Sequence, residues 1–99
     1  MSVKTTVSPD GNEITLHISG RFDFSTHQGF VSGYKEHPKG EKSFIVDLSA
    51  ADYMDSSAMG MLLQLREYGK GGGVKLVNAN DGILEILRIA NFDKLFSIA

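Results

Sequence analysis

The fold is decided by residues 44–60, which read Phe44-Ile45-Val46-Asp47-Leu48-Ser49-Ala50-Ala51-Asp52-Tyr53-Met54-Asp55-Ser56-Ser57-Ala58-Met59-Gly60. The nearly continuous apolar run from Phe44 to Leu48 predicts a short strand covered on both faces. From Ser57 to Tyr68 apolar residues recur at helical spacing, and Gly69 ends them. Ser49 to Ser57, between the two, reads as a loop. Strand, loop and helix in that order form the unit from which parallel sheets are built.

Working outward, Glu13 to Ser19 alternates, with Ile14, Leu16 and Ile18 on one side and Thr15, His17 and Ser19 on a wet side. Val3 to Val7 alternates more weakly, and Ser8-Pro9-Asp10-Gly11-Asn12 between them is dense turn chemistry, so the pair predicts a β-hairpin. After Gly20 the period changes: Phe24, His27, Phe30/Val31 and Tyr34 follow a helix, with Ser25 as N-cap and Pro38-Lys39-Gly40 as its stop. Gly29 and Gly33 weaken this helix by roughly 1 kcal/mol each relative to alanine, so packing must hold it. Beyond the central unit, Val74 to Val77 predicts a buried strand, Asp81 to Ala90 a third helix and Phe96 to Ile98 a last short strand. The order ββαβαβαβ defines an α/β protein, a mixed and largely parallel sheet of about five strands, with residues 1–99 as one domain.

Composition narrows the function. The chain has 99 residues, 41% hydrophobic and 22% charged, which excludes a disordered or low-complexity segment. Ten basic against twelve acidic residues give a net charge of −2, which argues against a nucleic-acid binder. There is no cysteine, hence no disulfide, thiolate metal site or cysteine nucleophile. Met1 to Thr6 lacks the basic start of a signal peptide, and no apolar run approaches the ~20 residues that span a bilayer. A cytoplasmic domain without membrane contact is expected. His17, His27 and His37 show no paired spacing for zinc, and no metal or cofactor is expected.

In open α/β sheets, sites lie beyond the carboxyl ends of the strands, here Gly20 to Phe24, Ser49 to Ser57 and Asn78 to Gly82. Asp55-Ser56-Ser57 stands where a helix begins, and an aspartate or serine there caps orphan N–H groups. On local sequence alone a simple cap is the stronger account. No capping box completes it, because Met59 stands where glutamate or glutamine would close one from Ser56, and two serines exceed what one cap requires. Gly69-Lys70-Gly71-Gly72-Gly73 follows no strand and leads into no Gly-Lys-Ser/Thr, so it reads as a helix stop and turn and not as a phosphate loop. A hydrolase using Ser56, His27 and Asp23 is the alternative of another class, though Gly-x-Ser-x-Gly is absent.

Ile45-Val46-Asp47-Leu48 followed by Tyr53-Met54-Asp55-Ser56-Ser57-Ala58-Met59-Gly60-Met61-Leu62-Leu63 resembles the STAS-domain anti-sigma factor antagonists, a bacterial family with a DSSGLG or DSTGLG segment at this place. The resemblance also takes in Gly20-Arg21-Phe22-Asp23 and the glycine turn before Val74. It implies a non-enzymatic partner-switching protein. Ser56, with Ser57 as the alternative, would be phosphorylated by a serine kinase and reset by a PP2C-type phosphatase, and the unphosphorylated form would bind an anti-sigma factor. The alternative within the same fold is an adaptor for a non-sigma partner such as a diguanylate cyclase or response regulator. Ala58 departs from the family's usual glycine, which bears on a partner needing close backbone approach.

The partner surface expected from this reading is Asp23, Asp55, Ser56 and Ser57, with Met59, Leu63 and Arg66 flanking the helix. Ala58, Met61, Leu62 and Leu65 share the arc that faces the sheet, and Gln64 and Glu67 lie opposite. The flank reads equally as a broad buried face or as an exposed apolar strip beside Ser56. Asp23 reads equally as a rim carboxylate or as a helix-start residue. The low net charge and the lack of a long apolar edge lean towards a monomer.

Overall fold

The computed structural model describes residues 2–70 and 74–99. Strands β1 (Ser2–Val7) and β2 (Glu13–Phe22) are followed by a 3-10 turn (Phe24–Thr26), α1 (His27–Lys35), β3 (Ser43–Met54), α2 (Ser56–Tyr68), β4 (Val74–Val77), α3 (Asp81–Ile89), a second 3-10 turn (Phe92–Lys94) and β5 (Ser97–Ile98). The strands lie in the order β1-β2-β3-β4-β5, with β1 antiparallel to β2 and every later neighbour parallel. This is the expected architecture.

Every parallel crossover advances one strand in the same direction, so right-handed connections place all the helices on one face. Burial follows suit. Ile14, Leu16, Ile18, Phe44, Val46, Leu48, Val74 and Leu76 are buried in the core with the helix residues, whereas Thr15, His17, Ile45 and Asp47 between them are only half-buried and Lys75 is exposed. Phe44 to Leu48 is therefore covered on one face and not on two. Ile45, an apolar residue on the open face, fills what would otherwise be the polar beat of the alternation.

The strands also run further than their pattern indicates. Past His17 and Asp47 the β2–β3 register shifts twice, between His17 and Ser19 and between Gly20 and Arg21, then pairs Arg21 with Tyr53 and Phe22 with Met54. Irregularities of this kind break the period-2 signal. Most of the segment Ser49 to Ser57 is thus strand, and Asp55 alone joins β3 to α2. The segment Gly20 to Phe24 shortens likewise, with Gly20 at φ +79°, where a side chain would be strained.

Two glycines in α1 play different parts. A Cβ on Gly33 would stand 2.8 Å from Leu16 Cδ2 and 3.1 Å from Thr5 Cγ2, and Leu16 is fully buried with nowhere to move. Glycine at 33 therefore lets α1 lie close on the hairpin. Gly33→Ala is expected to destabilise by about 1–2 kcal/mol despite its gain in helix propensity. At Gly29 the nearest atom to a new Cβ is 3.6 Å away, an ordinary contact. Gly29→Ala should stabilise by roughly 0.5–1 kcal/mol. Parallel urea melts of the two variants check the pair: opposite signs are expected. The stop at Gly69 is as read, its N–H bonding the Leu65 carbonyl at 3.0 Å; Gly71 to Gly73 lie outside the described residues.

Candidate functional site: the helix-start rim

Three short polar side chains start the helical segments at the carboxyl ends of β2, β3 and β4. Asp23 accepts from the Ser25 N–H at 3.0 Å, Asp55 from the Ala58 N–H at 3.1 Å and Asn80 from the Ile83 N–H at 2.9 Å. Asp23 and not Ser25 thus caps the 3-10 turn that leads into α1, while Thr26, at the N-cap position of α1 itself, makes no side-chain cap bond. An extended backbone at Asp23 (φ −140°) and Asp55 (φ −129°) aims each carboxylate back at the following turn.

The consequence for the serines is direct. Because Asp55 supplies the cap, Ser56 and Ser57 occupy the first two positions of α2, both exposed, and among the described residues neither hydroxyl makes a hydrogen bond within the chain. Their backbone N–H groups belong to the orphan donors of the first turn, which together with the macrodipole favour an added anion. Asp55→Ala is expected to cost about 1 kcal/mol of folding stability, the usual worth of a cap, while Ser56→Ala stays within about 0.5 kcal/mol of the parent. Urea denaturation of both variants checks this. An equal loss at Ser56 would make the serine a structural element.

Around the serines the rim is aromatic and charged. The Arg21 guanidinium lies 3.8 Å from the centre of the Tyr53 ring and its Nε donates to Asp23 Oδ2 at 3.2 Å. The Ser25 hydroxyl, with further help from Arg21 and the Ser25 N–H, outweighs desolvation and holds the Asp23 carboxyl below its ordinary range. Phe24 is 71% exposed, with the His27 ring stacked on it at 5.3 Å. Asp52 is exposed. No hydrogen bond joins His27 to Ser56 or to Asp23 among the described residues, so the structure does not assemble the hydrolase alternative.

Along α2, Ala58, Met61, Leu62 and Leu65 are buried and Gln64 and Glu67 exposed, as the helical wheel requires. The flank divides between its two readings. Met59 is half-buried against the core, Leu63 is 39% exposed, and Arg66 donates from Nε to the Leu95 carbonyl at 2.9 Å. Leu63 and Leu95 thus remain as the exposed apolar part, with Arg66 tied beside them. The Ala58 methyl is wholly buried, so its replacement of glycine adds nothing to the outer surface.

One cluster was not legible from the sequence. On the open sheet face His17 bridges two neighbouring strands: its Nε2 is 3.0 Å from Thr6 Oγ1 and its Nδ1 is 3.0 Å from Asp47 Oδ2. Asp47 also accepts from the Ser49 N–H and from Asn78 Nδ2. Partial burial pushes the Asp47 carboxyl up, but Ser49, Asn78 and His17 together more than offset it, and the group titrates below its ordinary value. Its contribution to stability is therefore present above the unfolded pKa of about 3.9 and is lost as pH falls through the lower folded value. Melting temperatures taken down through that window should drop for the parent more steeply than for Asp47→Asn. Only a strand register, not a spacing, brings residues 6, 17 and 47 together.

A one-faced α/β layer with capped helix starts along one rim, and an unengaged serine pair at the central one, describes a class of small α/β domain. The STAS domain family matches residues 3–99, and the chain belongs to that family. A STAS-domain containing protein of Pseudomonas aeruginosa (strain UCBPP-PA14) is 42% identical over 101 residues, covering the whole of both chains. Among solved structures, a Thermotoga maritima protein assigned as an anti-sigma factor antagonist superposes with a TM-score of 0.80 at 17% identity, covering 97% of this chain and 84% of that one. The anti-sigma factor antagonist SpoIIAA in its unphosphorylated form gives 0.67 at 15% identity, covering 99% and 87%. These structural likenesses establish a shared fold. Among the described residues no helix is long and apolar enough to cross a membrane.

Proposed function

We propose that this protein is a phosphorylation-gated binding switch of the anti-sigma factor antagonist type and not a catalyst. In its unphosphorylated form it captures an anti-sigma factor in the cytoplasm. A serine kinase inactivates it at Ser56, and a PP2C-type phosphatase restores it. The observation that carries the reading is the division of labour at the start of α2: Asp55 makes the cap, which leaves Ser56 exposed and free of any structural task. The solved anti-sigma factor antagonists of the same fold support the partner class.

The switch works at the interface and not through the fold. A phosphoserine adds about 1.5 to 2 negative charges. The N–H groups at the helix start accommodate them, so the domain stays folded. A partner that packs over a bare hydroxyl has to strip water from a dianion beside Asp55, at a cost of several kcal/mol. Asp23, Asp55, Ser56, Ser57 and Leu63, with Met59 and Arg66 at its margin, form the footprint. A pull-down with Ser56→Ala and Ser56→Asp side by side tests the proposal. A regulator held by the first and released by the second is expected; capture by both alike would refute it. A diguanylate cyclase or response regulator captured in place of an anti-sigma factor would replace the partner and keep the switch.

A further inference from the structure

We propose that β1 is a self-pairing edge, through which two copies of this chain join antiparallel about a two-fold axis at Thr5. The proposal does not rest on the reading of Ser56, and it departs from the monomer expected from charge and composition. Among the described residues no strand pairs with the outer side of β1. The direction of its backbone groups follows from one hydrogen bond: the Ser8 N–H donates to the Glu13 carbonyl at 2.9 Å, which puts residues 8 and 13 at a hydrogen-bonding position just beyond the ladder, the Glu13 N–H returning to the Ser8 hydroxyl at 3.1 Å. Such pairs alternate along an antiparallel ladder. With Thr6 opposite Thr15 and Lys4 opposite His17, residues 4 and 6 turn their N–H and C=O groups inward to β2. Val3, Thr5 and Val7 therefore turn theirs outward, to the free edge.

Side chains and charge then select the register. A two-fold axis perpendicular to the sheet keeps the helix-covered face of both copies on the same side, so residues of like parity must meet. Two such registers keep most of β1 paired. One register sets Lys4 against Lys4 at the close spacing of a non-hydrogen-bonded pair, which like charges oppose. The other sets Thr5 against Thr5, Val3 against Val7 of the second copy and Lys4 against Thr6 of the second copy. Each outward residue then exchanges both of its backbone hydrogen bonds. Val7, 55% exposed in one copy, meets an apolar neighbour. A net charge of only −2 per copy opposes the approach weakly. The two lysines remain diagonal neighbours, so pairing strengthens with salt, and Lys4→Thr tightens it by about 2–5-fold. β1 is separated from β3 by β2, so the Ser56 rim that follows β3 stays open in both copies and the dimer presents two switches.

Sedimentation velocity on the full chain over a wide concentration range tests the pairing. The mass should rise from 10.8 kDa towards twice that value as concentration increases, and more readily at high salt. Thr5→Pro removes an outward N–H on each side of the axis while leaving the β1–β2 bonds intact. It should stay at the single-chain mass throughout, with an unchanged circular dichroism spectrum. Should that variant fail to fold, single cysteines in this cysteine-free chain decide the matter. Thr5→Cys places two thiols across a pair with Cα atoms about 5.5 Å apart, within disulfide range, and should cross-link on mild oxidation well before Lys4→Cys. A parent that remains at the single-chain mass everywhere, a Thr5→Pro variant that associates like the parent, or faster linkage at position 4 would overturn the proposal.

Discussion

Replacing Ser56 with aspartate is expected to weaken partner capture by on the order of a hundredfold while moving the melting temperature by no more than a degree or two. The two halves of that expectation have separate causes. Stability stays because the cap of α2 belongs to Asp55, and because a carboxylate at the first position of a helix interacts favourably with its dipole, by about 0.3–1 kcal/mol. Binding goes because a charge beside Asp55 must be stripped of water under the partner, and a loss near 3 kcal/mol is already a factor of about a hundred. Urea denaturation and a titration with the captured regulator measure the two quantities on one preparation. A variant that loses stability and binding together would place Ser56 in the fold, not in the switch.

Phe44→Ala is expected to show the reverse pattern, a loss of about 3–5 kcal/mol in folding stability. Phe44 is 1% exposed, and its ring lies 6.2 Å from those of both Tyr34 and Tyr68, which themselves meet edge-on at 4.9 Å. One ring therefore joins β3 to α1 and α2, and its removal leaves a cavity at the point where three elements converge. A domain of this size holds about 5–15 kcal/mol in all, so the variant should be close to unfolding at physiological temperature. Leu63→Ala, exposed on the outer flank of α2, is the matched control. It should change stability by about 0.5 kcal/mol or less and act only on partner affinity. Equal stability losses at the two positions would mean that the flank of α2 is core and offers no docking surface.

How far the sequence disclosed this structure depends on which forces wrote each part. The strand and helix order was legible because the buried face is continuous: Ile14, Leu16 and Ile18 keep period 2, and Ala58, Met61, Leu62 and Leu65 keep the helical period. The reach of β2 and β3 was not, because the shifts after His17 and Gly20 let the strands pair on while their alternation fails. Ser25 looked like a cap on composition, yet the carboxylate two residues earlier is better placed to accept its N–H. At Asp55-Ser56-Ser57 the residue types announced a helix start, but which of the three makes the cap is a matter of backbone angle, and only the extended conformation at Asp55 settles it. The Thr6–His17–Asp47 bridge was invisible for a different reason: it is made by register between strands far apart in sequence.

The most direct test of the switch is to prepare the protein with phosphoserine at position 56, by encoding it during synthesis, and to titrate it and the unmodified protein against the same captured regulator. The account predicts binding weakened by a hundredfold or thereabouts, with phosphoserine at position 57 serving as the positional control. Equal affinity of the bare and phosphorylated forms would contradict it.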